Sequence, residues 1–280
     1  MLFSKADGTL DLRSFADFKA GHIKDATWMT WPELPEHLNE LPASPAEFFL
    51  VGKAQAIEET SIFLDSKGYK VCGSLIIETP EAMHVWGEKI AGLLVSGSQS
   101  KTLWSPNSLL VEFTENLAFD AKKRRPSALD LGCGGGRDAV FLAKQGWQVS
   151  AIDNESRVIK RAKQLATRSG ASVKFRCCDL KKTGCLTEET FDLVMVMRFL
   201  NRDLYEPIKQ MIKPGGWLVF QTFTDGAEKF GSPKNPNFIL KPNELSQVFS
   251  DFKIITDRMD SLSDGRPVAS FIAQKPQDSV

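Results

Sequence analysis

A chain of 280 residues exceeds a single ordinary domain of roughly 100–200 residues, so two domains are expected. With 42% hydrophobic and 25% charged residues it has the composition of a folded globular protein and not of a disordered one. Thirty-five basic residues cancel thirty-five acidic ones, which leaves no field to gather a polyanion, so nucleic acid is not a favoured partner. The five cysteines lack framework spacing, which argues against a disulfide scaffold and suits a reducing compartment; the adjacent Cys177 and Cys178 do not have the spacing of a zinc pair, and no metal site is expected. Met1–Ser14 contains no apolar run of the signal-peptide kind, and no stretch reaches the roughly 18 apolar residues of a membrane span. The expected setting is the cytoplasm, away from membranes.

In the first half, Leu10-Asp11-Leu12-Arg13 and Phe18-Lys19-Ala20-Gly21-His22-Ile23-Lys24-Asp25-Ala26 precede a strand at Phe48–Val51, and Phe63 to Val71 reads as a helix running into a strand. Together these stretches resemble a rhodanese-like domain over residues 1–94. In active members of that family a cysteine after the central strand starts a loop of backbone amides. Here Gly52-Lys53-Ala54-Gln55-Ala56 follows, with no cysteine and a shortened loop, so the resemblance implies a module without the usual sulfur transfer. Cys72 reads as a small buried hydrophobe and His22 as a structural histidine. A module of this kind is left to bind a partner protein, a subunit or a sulfur-containing ligand.

Residues 96–126 mix Ser96-Gly97-Ser98-Gln99-Ser100 with Trp104-Ser105-Pro106-Asn107 and read as a connection, not a core element. The expected division is therefore 1–94, a linker and lead-in helix over 95–126, and a second domain over 127–280. The basic run Lys122-Lys123-Arg124-Arg125 is read as a solvated boundary in preference to a localisation signal. Beyond it, strand-like runs alternate with helical patterns. Strands are expected at Ala128–Cys133, Gln148–Asp153, Val173–Cys178, Phe191–Met197 and Trp217–Phe223. Helices are expected at Arg137–Gln145, near 155–168 and over 201–212, the last stopped by Lys213-Pro214-Gly215-Gly216. Pro242 opens a helix to about Ser250. Phe252–Thr256 and Val268–Gln274 are joined too closely for a helical crossover and should pair antiparallel. The sum is an α/β fold: a doubly wound, seven-stranded sheet with one reversed strand.

Leu129-Asp130-Leu131-Gly132-Cys133-Gly134-Gly135-Gly136 ends the first of these strands and opens a helix, the place where an open α/β sheet binds ligands. A nicotinamide-dinucleotide fingerprint requires glycine at the sixth position counted from Gly132, which is Arg137. The acids discriminate further. Asp130 would repel a pyrophosphate but suits an ammonium. Asp153 ends the second strand, where a carboxylate can accept from two ribose hydroxyls, and Asp179 ends the third, where it can accept from an adenine amino group.

An acid and glycines after strand one, an acid after strand two and an acid after strand three together resemble the class I S-adenosylmethionine-dependent methyltransferases, over about residues 104–275. The resemblance implies S-adenosylmethionine as cofactor. It also implies a cofactor site built from Asp130, Gly132, Cys133, Gly134, Arg137, Asp153, Asn154, Asp179, Leu180 and Met197. Leu131 to Asp138, Met197-Arg198-Phe199-Leu200-Asn201-Arg202, Phe223-Thr224-Asp225-Gly226 and Phe230 to Pro236 further resemble the methyltransferases similar to the tellurite-resistance enzyme, whose acceptors are small soft nucleophiles.

Methyl transfer from a sulfonium needs alignment and exclusion of water more than acid–base machinery. Arg198, at the carboxyl end of the fourth strand, is the substrate-side candidate: a guanidinium there binds an anionic acceptor or lowers a thiol's pKa, or else forms a salt bridge that holds the loop. Arg202 and Tyr205 are weaker candidates, expected on an exposed first turn. Residues 224–241 are either a lid or a packed loop. Asn235-Pro236-Asn237-Phe238 is set aside as a decoy of an acceptor motif. Three readings stay open: transfer to a small thiol or metalloid acceptor, transfer to a macromolecule recruited by residues 1–94, and a scaffold that binds the cofactor without turnover.

Overall fold

The computed structural model describes residues 5–89, 92–116, 125–182, 184–186 and 188–277, and its contacts divide between Trp104 and Ser105 into two units. Lys122, Lys123 and Arg124 of the basic run lie outside the described residues. Among the described residues no helix is long and apolar enough to cross a membrane.

The first unit contains β1 (Gly8–Asp11), α1 (Phe15–Ala20), β2 (His22–Ile23), β3 (Ala26–Trp28), β4 (Glu47–Gly52), α2 (Ala54–Asp65), β5 (Lys70–Ile76), α3 (Pro80–Lys89) and β6 (Leu94–Val95). Its main sheet is four-stranded and parallel, in the order β3-β1-β4-β5. A continuous apolar run makes β4 a central strand covered on both faces. Phe48 and Leu50 join one core with Leu10, Leu64 and Tyr69, whereas Phe49 and Val51 join another with Phe18, Ile23 and Leu75. Cys72 on β5 is half-buried, and His22 stacks on Phe18 with ring centroids 3.8 Å apart while its Nδ1 meets the Phe18 carbonyl at 2.8 Å. Only Lys53 separates β4 from α2, so no amide loop follows the strand. Instead the Ala54 N–H donates to Glu78 Oε1 at 3.0 Å.

Residues 96–101 are not a free connection. Gly97 N–H donates to Lys19 O, Lys101 N–H donates to Ala26 O, and Thr27 Oγ1 donates to Lys101 O, which straps the segment along the first unit.

The second unit begins with α4 (Ser108–Asn116), whose Leu109, Leu110 and Phe113 are core residues because every third or fourth position is apolar. It continues through β7 (Ser127–Leu131), α5 (Arg137–Lys144), β8 (Gln148–Asp153), α6 (Ser156–Arg168), β9 (Val173–Cys177), β10 (Phe191–Met197), α7 (Tyr205–Met211), β11 (Ile212–Phe223), α8 (Glu244–Val248), β12 (Lys253–Ser261) and β13 (Pro267–Gln274). The seven strands run β12-β13-β11-β10-β7-β8-β9, and β13 alone is antiparallel to its neighbours. Every residue of β10 is buried: Leu193, Met195 and Met197 face one core layer, Val194 and Val196 the other.

Several boundaries differ from expectation, each for a local reason. The first strand ends at Leu131 because Gly132 and Gly134 turn to positive φ. Lys213-Pro214-Gly215-Gly216 does not separate helix from strand but lies inside β11. There it bulges opposite Asp192, since Phe191 pairs with Ile212 and Leu193 with Trp217, and Lys213 Nζ bonds Asp192 at 3.1 Å. The helix expected from Pro242 starts at Glu244, after Asn243 at φ +58°. The cysteines depart from the reduced set expected: the chain after β9 curls back so that Cys178 and Cys185 come to a Cα separation of 5.8 Å and form a disulfide, leaving Cys72, Cys133 and Cys177 as thiols.

Phe249 is fully buried after α8, with the rings of Tyr205, Phe252 and Phe271 at 5.5–6.1 Å. Phe249→Ala is expected to destabilise the second unit by about 3–5 kcal/mol. A urea melt followed by tryptophan fluorescence should show the lowered midpoint.

Candidate functional site

A cavity of about 580 Å³ opens at the carboxyl ends of the parallel strands of the second unit. It sits at the end of β7, which has β8 on one side and β10 on the other, the switch point at which such sheets bind ligands. The ten residues expected around the cofactor, together with Arg198, all line it. Asp130 comes from β7. Gly132, Cys133, Gly134 and Arg137 come from the glycine loop and the start of α5. Asp153 and Asn154 end β8, Asp179 and Leu180 follow β9, and Met197 and Arg198 end β10.

The glycine loop is drawn onto β8 by hydrogen bonds from the Gly132 and Cys133 N–H groups to Ile152 O, at 2.9 and 3.0 Å. Asp153 then braces it: Oδ2 accepts from Gly134 N–H at 2.9 Å and Oδ1 from Glu155 N–H at 3.0 Å. Gly132 has φ +74°, and a Cβ there would come within 2.7 Å of the Phe199 ring; at Gly136, φ +78°, it would come within 2.8 Å of Ala162 Cβ. Both positions therefore require glycine, for conformation and for space.

Asp130 is 1% exposed, and neither carboxylate oxygen has a hydrogen-bond partner. Burial, and then repulsion from Asp138 and Asp153, hold its pKa well above the usual carboxylate range. Asp138 accepts from Asn107 N–H at 2.6 Å. Burial raises its pKa as well, against the opposing pull of that N–H and of Arg137 and Arg198. Burial, Asp130 and Asp153 push the Cys133 thiol up in the same way. Asp179 is partly exposed and its Oδ1 accepts from Lys181 N–H at 3.1 Å. An orphaned, buried carboxylate suits a cation and would repel a phosphate. The donor set therefore fits the ammonium, sulfonium and ribose of S-adenosylmethionine.

The cavity is also lined by Arg198, Phe199, Phe223, Phe238 and Arg266. Arg198 is exposed, holds φ +56°, and donates its N–H to Gln221 O at 2.6 Å. Among the described residues its guanidinium has no ion-pair partner. Arg266 lies with its guanidinium 4.7 Å from the centre of the Phe223 ring, pairs with Asp264 and donates to Ser232 O at 2.8 Å.

The two weaker candidates are structural. Arg202 forms a bidentate pair with Glu244 and donates to Asn237 O and Ile239 O, at 2.9 and 3.0 Å. Tyr205, expected on an exposed turn, is buried and donates its hydroxyl to Glu244 at 2.7 Å. Residues 224–241 form a strap whose base is closed between Thr224 and Leu240, fastened by Arg202 on one side and Arg266 on the other.

Sequence reasoning missed Asp138, Phe238 and Arg266 as cavity residues. Asp138 stands two residues after the last glycine of the loop, at the end of the stretch Leu131 to Asp138, and could have been counted. Phe238 lies in the segment set aside as a decoy, and Arg266 sits in a hairpin turn that only the sheet order brings to the cavity.

A methyltransferase-domain family model matches residues 128–216. The ubiquinone biosynthesis O-methyltransferase of Chromobacterium violaceum is 30% identical over 186 residues, covering 59% of this chain and 75% of that protein. An uncharacterized protein of Schizosaccharomyces pombe is 24% identical and aligns over 95% of this chain and 93% of its own length. Among solved structures, TehB from Haemophilus influenzae matches 60% of this chain and 62% of its own with a TM-score of 0.50 at 20% identity, a likeness of fold. The sheet order, the acidic cavity and these relatives agree: the chain belongs to the S-adenosylmethionine-dependent methyltransferases, and its cofactor is S-adenosylmethionine.

Proposed function

We propose that the chain methylates a small, soft acceptor that arrives already ionised, a thiolate or a metalloid oxyanion. The observation that carries this reading is Arg198, at the end of β10 beside Met197, whose guanidinium has no ion-pair partner among the described residues and which lines the cavity together with Phe199, Phe223 and Phe238. A fixed cation in an apolar mouth favours an anion with a polarisable body. Arg198 and Arg266 carry the charge among these side chains, and a guanidinium does not accept a proton, which suits an acceptor that arrives as an anion.

Asp130, Asp153 and Asp179 would hold the methionine ammonium, the ribose and the adenine, with Cys133, Asn154 and Leu180 packing around them. When bound, the cofactor supplies a methyl group on a positively charged sulfur. Met197 and Phe199 would keep water from that carbon, and Arg198 would orient the acceptor opposite it. Arg266 and Arg202 hold the strap that carries Phe238 over the mouth.

Residues 1–94 we read as a rhodanese-like module that lacks the sulfur-transfer nucleophile. Its parallel sheet and the direct passage from β4 into α2 are in keeping with that reading. A second reading, in which this unit recruits a protein or macromolecular acceptor, is favoured by the fungal relative that aligns across both halves. Loss of pull-down partners on removing residues 1–94, with small-molecule turnover retained, would support the second reading.

Calorimetry is expected to give micromolar S-adenosylmethionine binding that Asp153→Ala weakens more than tenfold, about 1.4 kcal/mol. In an acceptor panel, thiols or selenite should yield S-adenosylhomocysteine while phenols and amines do not. Arg198→Met should lower kcat/KM for the productive acceptor by about 10- to 100-fold, the loss of one charge-assisted contact. Turnover confined to a phenol would sink the assignment of acceptor class.

A further inference from the structure

Asp138 has no role in the reading above, yet it lines the same cavity as Asp130 and is one of the two like charges that raise its pKa. Three elements bring acids together here: β7 carries Asp130, the first turn of α5 carries Asp138, and β8 ends on Asp153. Asp153 has a backbone N–H on each oxygen and Asp138 has one from Asn107. Asp130 has none and is 1% exposed. The charges that face Asp138 are Arg137, beside it on α5, and Arg198, after β10. The charges that face Asp130 are both acidic, Asp138 and Asp153, and the remaining titratable group nearby, the Cys133 thiol, is neutral.

Of two carboxylates lining one cavity, the buried one without a hydrogen-bond donor or a facing cation is the harder to ionise. We propose that Asp138 is a second acidic contact for the positively charged methionine end of the cofactor, and that Asp130 carries a proton in the free pocket and releases it when that charge enters. The inference rests on the assignment of the cofactor and site. The step is a simple exchange: one carboxylic acid becomes a carboxylate, its proton passes to solvent, and the cofactor's charge takes the place the proton held. The direction with pH follows. The free form binds one more proton than the complex, so affinity rises with pH until Asp130 of the free protein itself ionises, by up to about tenfold per unit. The ligand's own amine stays charged below its usual range of about 7.7–8.0, so between pH 5.5 and 7 the linkage belongs to the protein.

The test is calorimetric titration of S-adenosylmethionine into the full chain at pH 6.5, in phosphate and in imidazole, which differ in ionisation enthalpy. The expected result is a difference in heat equivalent to about one proton released per site. Asp138→Asn should weaken binding roughly tenfold and move the pH dependence of Kd to lower pH, because Asp130 loses its like-charged neighbour. Asp130→Asn should abolish the buffer difference. Clear binding with equal heats in both buffers would overturn the proposal in the wild-type chain alone, without recourse to any variant. An Asp138→Asn protein with an unchanged pH profile would reject the role of Asp138. No heat of binding in either buffer would instead reject the site itself, and the proposal with it.

Discussion

The hydrogen bond from Gly134 N–H to the Asp153 carboxylate holds the catalytic unit's architecture at its most exposed point. β7 and β8 are neighbours in the sheet, and their following loops must part to leave room for a ligand. By tying the glycine loop to the end of β8, this contact fixes where α5 begins and therefore where Asp138 points relative to Asp130. The two positive-φ glycines on either side let the backbone pass within contact distance of Phe199 and Ala162, which side chains there would prevent. A loop so constrained costs conformational freedom, and the buried faces of β7 and β10 supply the compensating free energy.

Residues whose neighbours are set locally were legible in the sequence. The β10 run announces a central strand by the unbroken apolar stretch Leu193–Met197, and the acids closing β7 and β8 fall where a parallel sheet delivers its strand ends. What the sequence hid depends on long-range pairing. Lys213-Pro214-Gly215-Gly216 carries every local mark of a helix stop, yet the ladder to β10 absorbs it as a bulge. Arg266 carries no local mark at all: β13 places it beside the cavity by pairing antiparallel with β11. The partnership of Cys178 with Cys185 arises from the curl of one loop, which composition does not describe.

The part of the cavity wall that carries Phe238 and Arg266 is assembled from segments far apart in the chain. Arg202 and Glu244 pin the strap after β11 to the start of α7, and Arg266 pins it to the last hairpin. The burial of Tyr205 against Phe249 and its hydroxyl on Glu244 couple that fastening to the hydrophobic core. The mouth is thus held by polar contacts whose anchors are themselves packed, an arrangement that keeps a site open to solvent without leaving its residues loose.

In the first unit, the donor at the start of α2 is already engaged by Glu78. That helix begins one residue after a central parallel strand, where an amide end ordinarily awaits an anion. A soluble anion seeking this position must displace a carboxylate joined to it through the same chain. The tethered competitor has an effective concentration on the order of millimolar. The unit is in this sense self-liganded: a carboxylate of its own fills the place at the helix start.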